Sequence, residues 1–183
     1  MSDPIIIRPA SPDEIDEMHA IDVDACSLYA EAGLDGDLGP EHPYSIAERA
    51  CWIRCARAGH AFLAGPPGAR PVGLLVMDRI DGTPYLEQLS IRRAAMRQGI
   101  GRRLLQRAIA WAGAEPLWLT TYAHIPWNRP FYERHGFVTV LESACSPDMV
   151  KVLDEQRQAL PGPEHRIAMC RNASYGPTVN PWR

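Results

Sequence analysis

The sequence is short of several things. No apolar run approaches the roughly 20 residues that a membrane-spanning helix requires, and the opening MSDPIIIRPASPDE has no basic region followed by a long apolar one. A soluble, unexported, cytoplasmic protein is therefore expected. Excess charge of either sign is also lacking: 19 Lys and Arg stand against 22 Asp and Glu, a formal net charge of −3. There is no global pull toward nucleic acid or an anionic membrane, and any anion must be held by a local cluster. No internal repeat and no low-complexity linker interrupts the chain.

Cysteine is scattered and odd in number (Cys26, Cys51, Cys55, Cys145, Cys170). A chain of this length needs no disulfides to hold its core, which fits a reducing compartment. Cys51 and Cys55 lie one helical turn apart, as two metal ligands can. No CxxC, HxxxH or second pair accompanies them, so they read as small apolar residues of a helix, and no metal is expected.

What is present is enough for one core. The 183 residues, 46% of them apolar, suit a single domain, taken as residues 1–171 with a polar tail over 172–183. Pro4 to Arg8 is a β-branched run, and Ser11-Pro12-Asp13-Glu14 supplies an N-cap, a first-turn proline and a capping-box glutamate for a helix through Ile15, Met18 and Ile21. A Gly/Asp-rich stretch from Gly33 to Pro43 breaks that helix. A second helix is predicted from about Ser45 to Ala58. Three strands follow, His60 to Ala64, Pro71 to Arg79 and Pro84 to Ile91, separated by the turn signals Gly65-Pro66-Pro67-Gly68 and Asp81-Gly82-Thr83. The period then changes: Ile100, Leu104, Ala108 and Trp111 mark an amphipathic helix from Gly99 to about Ala112. Leu117 to Tyr122 reads as a buried strand, Pro130 to His135 as a short helix ended by Gly136, and Phe137 to Leu141 as a strand. Glu142 to Pro163 carries no clear pattern; His165 to Cys170 is a last strand.

Chemistry concentrates between Tyr85 and Trp111, where a strand, an arginine-rich loop, a Gly-x-Gly turn and a helix follow one another. That order builds an anion site. Gly99 and Gly101 permit a tight turn and close approach, and the N–H groups of the helix's first turn point at the ligand. Arg97 and Arg102 stand at this mouth, where guanidinium forks suit phosphate oxygens, whereas Arg103 and Arg107 belong to the solvated helix face. The hairpin strands upstream and the missing GxGxxG exclude a dinucleotide-binding βαβ unit.

Leu89-Ser90-Ile91 with Arg97-Gln98-Gly99-Ile100-Gly101-Arg102 resembles the cofactor-binding core of the GNAT N-acetyltransferases. Phe131-Tyr132-Glu133-Arg134-His135-Gly136-Phe137 resembles that family's later Phe-Tyr-x-x-x-Gly-Phe signature. The Pro126-Trp127-Asn128-Arg129-Pro130 segment looks like a bacterial subgroup variant. The resemblance covers roughly three quarters of the chain. It implies an α/β (α+β) fold with a mixed, mostly antiparallel sheet flanked by helices, splayed where acetyl-CoA binds. It also implies acetyl-CoA as acyl donor, with Asn128 among its contacts, and an amine of a small molecule or peptide as acceptor. Two departures stand out: Met96 occupies the motif's usual Arg or Gln position, and Ile125 the position where many members carry Asn. A homodimer is an open possibility, and neither nucleic acid nor membrane is an expected partner.

The resemblance further implies the chemistry. An amine must lose a proton to attack a thioester, the carbonyl oxygen gains charge, and the departing thiolate needs a proton. A strand bulge would aim a backbone N–H of Leu89 or Ile91 at the oxygen. Tyr132 holds the position of the general acid. Glu87, on the strand entering the loop, is the candidate base, with His124 and His42 as alternatives, and Tyr122, His124 and Trp127 are candidate acceptor-pocket residues. Competing readings are an O-acyl or longer-chain transferase and a CoA-binding regulatory domain without catalysis. A nucleic-acid module rests on the arginines alone and has no reading motif behind it.

Overall fold

The computed structural model describes residues 4–34 and 38–172; most of the expected tail, 173–183, lies outside them. The chain divides into two compact units, one formed by residues through Asp78 together with Leu86–Trp111, the other by Arg79–Tyr85 together with residues from Ala112 onward. Fold class is as expected: mixed α/β, with mostly antiparallel strands flanked by helices.

In the first unit the strands run in the order β1 (Ile6–Pro9), β2 (Ala61–Gly65), β3 (Gly73–Ile80), β4 (Thr83–Ile91). β1 and β2 are antiparallel with Arg8 opposite Leu63, and β2 and β3 with Phe62 opposite Leu75. Helix α1 (Ile15–Glu31) starts where the sequence places it. A 3-10 turn over Pro12–Glu14 carries the full capping box, and the Glu14 carboxylate accepts from Ser11 N at 2.9 Å. The same carboxylate pairs with Arg8 of β1 at 2.6 Å, and the Arg8 hydrogen bond holds its pKa below the ordinary value. Helix α2 (Pro43–Arg57) opens two residues earlier than predicted, because His42 caps it: Tyr44 N donates to His42 Nδ1 at 3.1 Å. An imidazole that accepts there is unprotonated at that nitrogen.

The first unit's core joins Ile15, Met18 and Ile21 of α1 to Trp52, Cys55 and Ala56 of α2 and to Leu63, Leu74 and Val76 of the strands. The i, i+3 spacing of the α1 residues is the expected apolar stripe. Helix α3 (Ile100–Ala112) packs on β3 and β4 so closely that a Cβ on Gly73 would lie 3.0 Å from Ile91 Cδ1, 3.1 Å from Leu104 Cδ1 and 3.2 Å from Ile100 Cγ2. Glycine at 73 is therefore a packing requirement.

The second unit holds β5 (Leu117–Tyr122), α4 (Arg129–Glu133), β6 (Val138–Val140), α5 (Pro147–Ala159) and β7 (Arg166–Arg171), with strands ordered β5-β7-β6, antiparallel throughout. The β3–β4 turn belongs to it. Asp81 and Gly82 both have positive φ, 49° and 73°, which is the backbone a tight Asp-Gly hairpin turn needs. Helix α5 lies within Glu142 to Pro163, where the sequence carries no clear pattern. Ser146 caps it by accepting from Met149 N at 3.3 Å, Pro147 is its first residue, and its buried residues Met149, Leu153 and Gln156 repeat at i, i+4, i+7. Among the described residues no helix is long and apolar enough to cross a membrane.

Candidate active site

The anion turn lies wholly in the first unit. β4 ends at Ile91, a 3-10 turn spans Arg93–Ala95, and α3 begins at Ile100, one residue after the predicted start. Arg97 and Gly99 both have positive φ, 61° and 79°. Two left-handed residues in three turn the chain sharply into the helix, and Gly99 supplies its conformation without the penalty Arg97 carries. The first helical hydrogen bond at this end runs from Arg103 N to Gly99 O at 3.1 Å. The N–H groups of Ile100, Gly101 and Arg102 therefore precede the helical ladder and form the positive end of its dipole. Above Gly99 is open space, since a Cβ built there meets nothing within 4 Å.

The arginines of this stretch divide by partner. Arg92 donates to Pro71 O, Ala20 O and Glu17 Oε1, the last at 2.8 Å. Arg93 donates its backbone N to Asp24 at 2.7 Å and its guanidinium to Glu31 at 2.5 Å. Arg103 donates to Ile5 O at 2.9 Å, and Arg107 stacks over the Phe62 ring at 3.9 Å. Arg97 and Arg102, both exposed, have no hydrogen-bond or ion-pair partner among the described residues. Two uncommitted guanidinium groups, open space over a glycine and three first-turn N–H groups fit a diphosphate. Gln98 turns its amide to Ala94 O at 3.3 Å.

Behind this turn, α1, α2 and β4 bring together acids that no local pattern joins. The Asp22 carboxylate accepts the Ser90 hydroxyl at 2.6 Å and a second hydrogen bond from Gln88 Nε2. Burial raises its proton affinity, against the pull of those donors. Glu48 of α2 is pushed up to about 8, first by burial and then by the charges of Asp22 and Glu87. Cys26 beside them is raised as well, by burial first and then by Asp22. His19, stacked on Trp52 with ring centroids 4.7 Å apart, is pushed down by burial and by Arg49, and its Nε2 is buried with no hydrogen-bond partner among the described residues. Asp22, Glu48 and Glu87 thus form a like-charged set in a half-buried site. Such a set retains a proton at neutral pH and favours a cationic visitor.

Glu48 and Asp22 were not singled out from sequence, although a signal existed. Glu48 stands four residues before the fully buried Trp52 and seven before Cys55, and Asp22 stands four after Met18 and seven after Ile15. Each is an acid written into an apolar stripe.

The remaining candidates lie in the second unit. Tyr132 sits on α4 between Phe131 and Phe137, with ring centroids 5.2 and 5.7 Å away. Gly136, φ +86°, ends that helix as the spacing predicts. Asn128 opens it, its carbonyl accepting from Phe131 N at 3.0 Å, while Ile125 is buried in the core. Tyr122 is 5% exposed, donates its hydroxyl to Pro161 O at 2.7 Å and lies under the Arg166 guanidinium. His124 is exposed and packs on His165 with centroids 3.9 Å apart, and Trp127 is 42% exposed.

A sequence model of the Acetyltransferase (GNAT) family matches residues 21–137, more than half of the chain and every residue of the turn and the acidic set. The chain belongs to the GNAT acetyltransferase family. Solved structures agree in fold at low identity. A GNAT-family acetyltransferase from Staphylococcus aureus Mu50 is 16% identical, with a TM-score of 0.67 over 92% of this chain and 99% of that one. The PaiA N-acetyltransferase of Thermoplasma acidophilum, solved in complex with coenzyme A, is 15% identical, with a TM-score of 0.64 over 94% and 99%. The ribosomal-protein-S18-alanine N-acetyltransferase of Escherichia coli is 15% identical, with a TM-score of 0.59 over 97% and 99%. Membership of GNAT makes this chain an acetyltransferase by family and agrees with the turn's fitness for a CoA diphosphate.

Proposed function

We propose that the protein is a cytoplasmic, acetyl-CoA-dependent N-acetyltransferase that moves an acetyl group to a primary amine of a small molecule or peptide, by direct attack while both substrates are bound. It belongs, in this reading, to a bacterial GNAT subgroup marked by the Pro126 to Tyr132 segment. The observation that carries the proposal is the acidic set in the first unit. An amine arrives protonated at neutral pH, and an ionised carboxylate beside Glu48, whose own carboxyl burial pushes up to about 8, attracts it and can take its proton.

Each residue then has a task. The first-turn N–H groups of Ile100, Gly101 and Arg102 and the side chains of Arg97 and Arg102 hold the diphosphate of CoA, with Gln98, Gly99 and Asn128 as further cofactor contacts. The thioester supplies the activated acetyl group. Strand β4 at Leu89, Ser90 and Ile91 lies along the pantetheine arm, and an N–H of Leu89 or Ile91 faces the carbonyl oxygen as it gains charge. The Glu87 and Glu48 pair receives the proton of the amine. Tyr132 gives its hydroxyl proton to the departing thiolate. His124, Trp127 and the Tyr122 ring are the acceptor-side residues of the second unit.

A panel of amines assayed with acetyl-CoA, following free thiol release, tests the proposal. One or more amines should release thiol in step with acetylated product, and CoA should raise the melting temperature by mass action. If no amine is turned over and millimolar CoA leaves the melting temperature unchanged, the reading is wrong.

A further inference from the structure

Helix α2 presents Cys51 and Cys55 one turn apart, both as free thiols, with their sulfurs 3.9 Å from each other. Strand β3 brings Asp78 against them. Its Oδ2 lies 3.5 Å from Cys51 Sγ, and the three ligand atoms all fall within 4.8 Å of one another. Those separations have a meaning. With zinc to sulfur at about 2.3 Å and zinc to oxygen at about 2.0 Å, a tetrahedral angle gives a sulfur-to-sulfur edge of about 3.8 Å and a sulfur-to-oxygen edge of about 3.5 Å. The observed 3.9 and 3.5 Å match two of those edges, and the third, between Cys55 Sγ and Asp78 Oδ2, lies within 4.8 Å, a gap that a small rotation of the carboxylate closes around an ion. Cys55 is buried at 1% exposure and Cys51 and Asp78 are half-buried, so two ligands open toward the third from a fixed helix face.

A positive group already occupies the mouth of this cluster. Arg54 Nη2 lies 2.5 Å from Asp78 Oδ2 and 3.3 Å from Cys51 Sγ. Its side chain is 64% exposed, free to swing into solvent, and it marks where the cluster's field draws a cation. The donor set of two thiolates and one carboxylate selects a borderline-soft ion and rejects magnesium or calcium, which demand oxygen ligands.

We propose that Cys51, Cys55 and Asp78 form a binding site for a tetrahedral divalent cation of the zinc class, with a fourth, non-protein ligand and Arg54 as the group that the ion displaces. Binding changes no oxidation state. Each thiol S–H bond breaks as a sulfur-to-metal bond forms, and two protons leave to solvent for each ion bound.

Titration of the reduced full-length protein with Co2+ tests the site through its absorbance. One equivalent should produce thiolate-to-cobalt charge transfer and ligand-field bands of tetrahedral strength; Zn2+ should abolish them and Mg2+ should not. Cys51→Ser and Cys55→Ser should lose the charge-transfer band, and Cys145→Ser should keep it. Asp78→Asn should keep a thiolate band and weaken binding by about tenfold or more. Arg54→Ala, at an exposed side chain whose loss leaves the core intact, should tighten binding several-fold. No thiolate band at stoichiometric Co2+, a band that persists without Cys51 and Cys55, or an Arg54→Ala variant that binds no better would each overturn the proposal.

Discussion

Ser90 of β4 donates its hydroxyl to Asp22 of α1 at 2.6 Å, tying the strand proposed to line the cofactor to the helix that carries the first member of the acidic set. Ser90→Ala removes a hydrogen bond to a carboxylate that burial already disfavours in its charged form. Stability should fall by about 1 to 3 kcal/mol in denaturant titration, more than the loss of a surface serine would cause. An unchanged midpoint would mean that Gln88 and Cys26 satisfy Asp22 without the serine.

Glu48 makes stability depend on pH. Its ordinary value is 4.5 and in the folded chain it is pushed up to about 8. Between those values the native state holds a proton that the unfolded chain releases, so this contribution is complete below the lower value and is lost as pH rises through the upper one. The groups that act on it are Asp22 and Cys26 from α1 and Glu87 from β4, none of them a cation, and its neighbour on α2, Arg49, is paired with Asp16 at 2.6 Å. In Glu48→Gln the melting temperature should fall less than in the parent from pH 5 to pH 9. With a working acceptor, the rising limb of kcat/KM near pH 8 should also disappear. A parallel pair of stability curves would remove Glu48 from the titrating set.

Tyr132→Phe keeps the ring packed against Phe131 and Phe137 and removes the hydroxyl alone. It should retain CoA binding and lower kcat by about 10²-fold, the scale for a positioned general acid. A change confined to KM would make the hydroxyl an acceptor contact. Glu87→Gln separates the two carboxylates of the proposed base: a kcat limb altered by Glu87→Gln and untouched by Glu48→Gln would assign the proton to Glu87 alone.

Arg97 offers a clean test of the turn, because its φ of 61° is one that glycine adopts freely. Arg97→Gly should fold at least as stably as the parent while weakening CoA binding and reducing its salt dependence. Gly99→Val, forced to φ +79° with a β-branched side chain, should lose the CoA-induced thermal shift. Equal affinity in both variants would move the diphosphate elsewhere.

Gly73→Ala needs three methyl groups to retreat by a few tenths of an ångström, and Gly73→Val cannot be absorbed that way. The valine variant should lose about 1 to 3 kcal/mol, as overpacked cores do. A valine as stable as the parent would show that α3 can lift from β3.

Local rules carried the reading where the chemistry is local. The Ser11 to Glu14 capping box, the change of period at Ile100 and the Gly136 stop are each written within a few residues, and the corresponding elements begin or end within two residues of expectation. Helix α5 has an equally local signature in Ser146, Pro147 and the 149, 153, 156 stripe; the preceding Glu142 to Cys145 stretch obscured its start. Glu48 beside Asp22, and Asp78 beside Cys51, were not legible in that way. Those pairs are separated by 26 and 27 positions, and only the packing of α2 on α1 and β3 brings them within reach.

The hydrogen bonds of Arg92 and Arg93 to Glu17, Ala20, Asp24 and Glu31 bind the chain just ahead of the anion turn along much of α1. A loop tethered at that many points before any ligand arrives has lost its freedom at folding, not at each encounter. Under the proposed function, the turn and the acid-bearing helix meet the cofactor as one preorganised surface, with little ordering left to do on this side of the site.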